Sequence, residues 1–88
     1  MYEKVKYILT VNDDSEQEQI ISWLDSRCSR ATIEYQIGQI NTNDDGSKSI
    51  ILFLEHYYDC DCRFNRLCGQ FEKYLDRCNI GYDWDYVY

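Results

Sequence analysis

Residues 31–58 read ATIEYQIGQINTNDDGSKSIILFLEHYY, two strand-like runs on either side of a turn, and their reading decides the fold. In the first run Ile33, Tyr35 and Ile37 alternate onto one face, and the parity then changes at Gly38 before Ile40, the mark of a β-bulge. Asp45-Gly46 is a strong turn signal, because glycine accepts the left-handed backbone that tight hairpins need. The second run, SIILFLEHYY, is apolar on both faces, as a central strand is. Together they predict a hairpin with one inner and one outer strand.

Working outward, KVKYILTV (residues 4–11) places Val5, Tyr7, Leu9 and Val11 on one face, the period of a first strand. NDDSEQE follows, where Ser15 and Glu18 have the spacing of a capping box ahead of a helix. Ile20, Ile21, Leu24 and Cys28 form its apolar stripe, with Trp23 on the flank. On the far side of the hairpin, Phe64, Leu67, Cys68, Phe71, Leu75 and Cys78 share a narrow arc of a second helix, which Asn79-Ile80-Gly81 closes. GYDWDYVY (81–88) then alternates as a last strand.

Strand, helix, strand, strand, helix, strand is the ferredoxin-like split βαβ arrangement: an α+β domain with one antiparallel sheet and both helices on one face. Right-handed crossovers give the spatial order 4-1-3-2. At 88 residues there is room for one domain spanning 1–88 and one core. In the fourth strand, at the sheet edge, Tyr82, Trp84 and Tyr86 are expected to pack under the helices, leaving Asp83 and Asp85 on the open face.

Sixteen acidic against nine basic residues, a net charge of −7, argue against binding to phosphate backbones or anionic lipid and permit a basic protein partner. Charges within the first residues and the lack of a long apolar run speak against a signal peptide or membrane helix, so a cytoplasmic protein is expected. An odd count of five cysteines then favours free thiols.

The topology gathers Asn12, Asp13, Asp14, Glu16, Glu18, Asn43, Asp44, Asp45 and Asp83 at one end of the molecule. Arg27, Arg30, Arg63, Arg66 and Lys4 belong to the other, with Glu3, Asp59 and Asp61. Spaced carboxylates on a rigid domain stand where a nucleic acid presents phosphates and so suit a basic groove. Each acid also has a local reason, since Asp and Asn fit turn backbones and acids favour helix starts. The open face is expected to carry Lys4, Lys6, Ile8, Thr10, Ile51, Phe53, Glu55 and Tyr57 with Asp83 and Asp85, an apolar centre ringed by charge that fits docking or dimerisation.

Other chemistry finds little support. NTNDDG opens like a calcium loop, but Leu52 stands where the twelfth-position Glu belongs. Cys60 and Cys62, near His56 and Cys68, lack the paired C-x-x-C spacing of structural zinc, so neither metal nor cofactor is expected. His56 beside Cys60 has no third group to orient it, and no catalytic triad, phosphate loop or carboxylate pair is evident, which argues against an enzyme.

RNA-recognition motifs place aromatics on both central strands, where this chain has Phe53 but Ile8, and they present a basic surface. Heavy-metal-associated, acylphosphatase and ACT domains need C-x-x-C, an arginine-bearing loop, or Gly or Pro in the first turn, where this chain reads NDDSE. In size, acidity and absence of catalytic motifs the whole chain resembles small phage-encoded inhibitors of host defence, of anti-CRISPR and anti-restriction type. That resemblance implies a non-enzymatic viral inhibitor acting in the host cytoplasm, docked on a nuclease or CRISPR effector without touching nucleic acid directly. Asp13, Asp14, Glu16, Asp44, Asp45, Asp83 and Asp85 would then replace phosphates, with Phe53 and Tyr57 as anchors. The alternative is a dimeric, small-ligand-binding regulatory domain associating through its sheet face.

Overall fold

The computed structural model describes residues 3–31, 33–56 and 62–87, and the side chains of all of these except Arg30, Ala31 and Cys62. The chain runs β1 (Glu3–Val11), α1 (Asp14–Ala31), β2 (Glu34–Thr42), β3 (Lys48–His56), α2 (Cys62–Arg77) and β4 (Gly81–Tyr86). The strands form one antiparallel sheet in the order β2-β3-β1-β4, the expected ferredoxin-like order read from the other edge.

Alternation places Val5, Tyr7, Leu9 and Val11 of β1 beside Ile50, Leu52 and Leu54 of β3 on the covered face. Over them lie Ile20, Leu24 and Cys28 of α1 and Phe64, Leu67, Phe71 and Leu75 of α2, all buried in one cluster. Burying each such Leu or Phe is worth about 1.5–3 kcal/mol, so the two central strands and α2 carry most of the stability. β2 contributes less: Tyr35 and Ile37 are only half-buried, and the strand beyond them is exposed.

Three local devices fix the register. The β2–β3 pairing slips between Ile37 and Gln39, the bulge expected at Gly38. At the hairpin tip the Gly46 N–H donates to the Asn43 carbonyl at 3.1 Å, with Gly46 at φ 89°, the type I turn plus glycine that suits a longer hairpin loop. At the end of α2, Asn79 takes the left-handed backbone (φ 58°) while the Ile80 N–H reaches back to the Leu75 carbonyl at 2.9 Å, a Schellman closure.

Two expectations are corrected. The cap of α1 is Asp13 rather than Ser15: its Oδ1 accepts the Glu16 N–H at 2.9 Å, and Glu16 Oε1 accepts the Asn12 N–H at 2.6 Å. Asp13-x-x-Glu16 has the same spacing as Ser15-x-x-Glu18, and aspartate caps as well as serine, so the helix starts as early as the chain allows. At its other end α1 extends to Ala31, and β2 therefore begins at Glu34, later than the alternation from residue 31 implied.

Candidate functional site

At the acidic end, carboxylates expected to face a partner already serve the fold. Asp13 and Glu16 cap α1 as described. Asp14 pairs with Lys48 at the start of β3, which ties the first helix to the base of the hairpin. Asp45 accepts the Ser47 N–H at 2.9 Å and its hydroxyl at 2.6 Å, and these bonds hold its carboxyl below the usual carboxylate range. Asp44 is exposed at the hairpin tip. The structure thus brings Asp13, Asp14 and Glu16 towards the hairpin through Lys48. It sets Asp83 and Asp85 apart, opposite Ile8 and Lys6 on the sheet.

The open face follows directly from the strand registers. Reading across β2, β3, β1 and β4, one row is Glu34, Glu55, Lys4, and the next is Gln36, Phe53, Lys6, Asp85. Then come Gln39, Ile51, Ile8, Asp83, and finally Asn41, Ser49, Thr10, Gly81. Phe53 does not stand up from this face. Lys4 Nζ lies 4.6 Å from its ring centre, and a Cβ at Gly38 would meet its Cε2 at 3.0 Å, so the ring rests over the bulge glycine. Ile8 is 39% exposed beside a shallow hollow of about 380 Å³ lined by Lys6, Ile8, Asp83, Trp84 and Asp85. Tyr57, the other expected anchor, lies outside the described residues.

A second surface was not foreseen. Of the β4 aromatics expected under the helices only Tyr82 packs there, whereas Trp84 is 49% and Tyr86 61% exposed. The physical reason is that α2 offers them Asn65 and Gly69, and a Cβ at Gly69 would meet nothing within 4 Å. Trp84 and Tyr86 instead meet each other edge to face, ring centres 5.2 Å apart at 86°. Between them and α2 is a cavity of about 200 Å³ lined by Val5, Tyr7, Phe64, Asn65, Cys68, Gly69, Glu72, Trp84 and Tyr86. Glu72 is anchored at its wall, its two oxygens accepting the Tyr7 hydroxyl at 2.9 Å and the Tyr82 hydroxyl at 3.5 Å. The sequence signal was available in retrospect: a glycine in the middle of a helix marks a place where a side chain is left out.

The remaining chemistry-bearing residues are built into the fold. His56 is buried, stacked on Phe64 with ring centres 4.5 Å apart, and its Nε2 lies 3.0 Å from Glu3 Oε2. Burial raises the Cys28 and Cys68 thiols to about 11, so both are protonated at neutral pH and poor nucleophiles. Tyr35 donates to Asp25, and that bond is the main reason its phenol is raised to about 12. Cys60 lies outside the described residues. Among the described residues no three His, Cys, Asp or Glu side chains gather as a metal site, and no helix is long and apolar enough to cross a membrane.

Neither models of known families nor curated protein sequences match this chain. Solved structures do. The de novo designed protein Foldit4 superposes with a TM-score of 0.79 at 12% identity, over 100% of this chain and 98% of the design. A hydantoinase/carbamoylase family amidase from Burkholderia phymatum gives 0.74 at 9% identity, over 99% of this chain but 28% of the enzyme. Formyltetrahydrofolate deformylase from Burkholderia mallei gives 0.60 at 11% identity, over 92% of this chain and 27% of that one. This chain therefore spans about a quarter of the length of those enzymes. At such identities the likeness is one of fold, and a fold shared by a designed protein and two unlike enzymes carries no activity with it.

Proposed function

We propose that this chain is a non-enzymatic, acidic binding domain that works in the cytoplasm as a face-to-face dimer. The observation that carries the reading is the register of the open face. A two-fold axis parallel to the strands, between β1 and β3, sets β1 of one copy over β3 of the other. Lys4 then meets Glu55, Lys6 meets Phe53, Ile8 meets Ile51 and Thr10 meets Ser49, while Asp83 and Asp85 of β4 come over Gln39 and Gln36 of β2. An axis across the strands would instead set Asp83 against Asp85, which like charge opposes. The area is modest. At sheet spacings the face offers about 500 Å² per copy, or about 1,000 Å² in all, the lower margin for a specific interface, so association in the micromolar range is expected.

Light scattering after gel filtration tests it. Wild type should pass from monomer to dimer as concentration rises, and Phe53→Asp should remain monomeric. Lys4→Glu and Glu55→Lys should each weaken pairing, and mixing the two should restore it, because in the mixed dimer every Lys again faces a Glu. A mixture no better paired than either variant alone would sink the proposal.

A second use of the domain is favoured by the crowding of Asp13, Asp14, Glu16, Asp44 and Asp45 at one end. The proposed axis keeps the acidic ends of the two copies at the same end of the dimer and so doubles the carboxylates presented there. Such a rim suits the basic groove of a nucleic-acid-binding protein, as expected of an anti-CRISPR or anti-restriction inhibitor mimicking nucleic acid in a host cytoplasm. Asp13, Asp14, Asp44 and Asp45 changed together to Asn should weaken such binding and flatten its salt dependence. Asn still caps helices and fills Asx turns, so the fold should survive. Unchanged affinity for a nuclease or CRISPR effector in the Asn variant would remove this second reading and leave the dimer untouched.

A further inference from the structure

We infer that the cavity between α2 and β4 is a binding site for a small alkylammonium group. Its place on the helix side separates it from the open face, so it stands or falls independently of the dimer. The aromatic walls come first. Trp84 and Tyr86 meet at a right angle, 49% and 61% exposed, in a domain whose other aromatic side chains among the described residues are at least half-buried. Half-uncovered aromatic rings at right angles form the corner of a cage, and ring faces attract a cation held within about 6 Å. Opposite them stands a fixed carboxylate. The Tyr7 and Tyr82 hydroxyls donate to Glu72 and set its direction, and among the described residues lining the cavity none is basic.

Shape and field agree with that chemistry. Val5, Tyr7 and Phe64 make an apolar floor, which favours methyl or methylene groups around the charge over a hydrated metal ion. The missing side chain of Gly69 keeps the entrance open on the helix side. A volume of about 200 Å³ falls below the roughly 300–1,000 Å³ of drug-sized pockets, so the occupant is a head group rather than a large ligand. The net charge of −7 draws cations towards the molecule as a whole. A protonated Cys68 thiol in the wall is a soft, neutral lining for such a group.

The site is tested by following the Trp84 indole N–H in two-dimensional NMR while adding choline, its neutral isostere 3,3-dimethylbutan-1-ol, or a capped trimethyllysine. Choline should shift Trp84 saturably, and the neutral isostere should bind about tenfold more weakly or worse. Glu72→Gln keeps an acceptor for Tyr7 and should cost about tenfold in affinity. Trp84→Leu, read out at the Tyr86 ring, should cost at least as much, and Gly69→Leu should block the cavity while strengthening the helix. If choline binds more tightly the natural occupant is a free small molecule; if trimethyllysine does, it is a side chain of another protein. The proposal is overturned if the isostere binds as well as choline, if Glu72→Gln and Trp84→Leu leave choline binding unchanged, or if no saturable shift appears.

Discussion

β1 carries the two faces of the molecule on alternate residues. Val5, Tyr7, Leu9 and Val11 are no more than 3% exposed under the helices, whereas Ile8 is 39% exposed and Lys4, Lys6 and Thr10 share its side. The same strand thus contributes stability through one set of side chains and an uncovered surface through the other, because its period is two. Among the described residues, cover on the helix side is incomplete in two places: at the far end of β2, where Ile40 pairs with buried Ile50 yet is 43% exposed, and where α2 presents Gly69 to β4 and leaves aromatic rings half in solvent. Exposed apolar surface among the described residues is therefore of two kinds: a whole face that no helix covers, and gaps in the covered face at the end of β2 and beside Gly69.

The largest effect should separate the two faces outright. Phe71→Ala on the covered side removes a ring that is 0% exposed and in edge contact with Tyr7 at 5.3 Å, and should cost about 3–5 kcal/mol in urea unfolding. Ile8→Ala should change stability by less than about 0.5 kcal/mol in dilute solution. At high concentration wild type should gain stability from pairing, and the variant should not. An Ile8→Ala loss as large as that of Phe71→Ala in dilute solution would mean that the open face is not open.

Alkali should probe the covered face from inside. Burial first, then the neighbouring Cys68 and Glu72, push the Tyr7 phenol well above its ordinary value of 10.0. Since the folded value is raised, the contribution is fully present below pH 10 and is lost as pH climbs above it, when the unfolded chain releases a proton that the folded chain holds. The expected slope is about 1.4 kcal/mol per pH unit from this one group. Tyr7→Phe gives up the bond to Glu72, about 1 kcal/mol at neutral pH, yet should lose less stability between pH 10 and 12. Parallel pH profiles for the two proteins would show that Tyr7 is not closed off by the core.

The fold was legible in the sequence because each element carried a strong periodic or turn signal. Alternation in 4–11, the parity change at Gly38, Asp45-Gly46 and the α2 stripe all reappear in the registers. The β4 surface was not legible. Alternation places Tyr82, Trp84 and Tyr86 on the helix side correctly, but whether a helix covers them depends on which α2 residue stands opposite, and a single sequence does not give that cross-element register. Of the site residues, Phe53, Asp83 and Asp85 were placed on the correct face. The Asp14–Lys48 pair was missed because it joins positions 34 residues apart. Local rules speak for neighbours in sequence, and the Glu72 anchor, held by Tyr7 from 65 residues away, lies beyond them for the same reason.

The smallest effect distinguishes acids that build the fold from acids that face a partner. Asp13 Oδ1 takes the Glu16 N–H, so Asp13→Ala leaves a helix-start donor without its acceptor and should cost about 1 kcal/mol. Ser15 lies inside the first turn, where alanine is the better helix former, so Ser15→Ala should be neutral or slightly stabilising. Asp13→Asn should stay near wild type, since the amide oxygen still caps, while one charge is removed from the acidic end. Thermal melts of the three variants decide the matter. If Ser15→Ala is the costly change, Ser15 is the cap, the helix starts two residues later and Asp13 is released to the rim. If Asp13→Ala is costly and Asp13→Asn is not, the carboxylate works as a cap, and only the charge it adds to that end remains to be read by a basic partner.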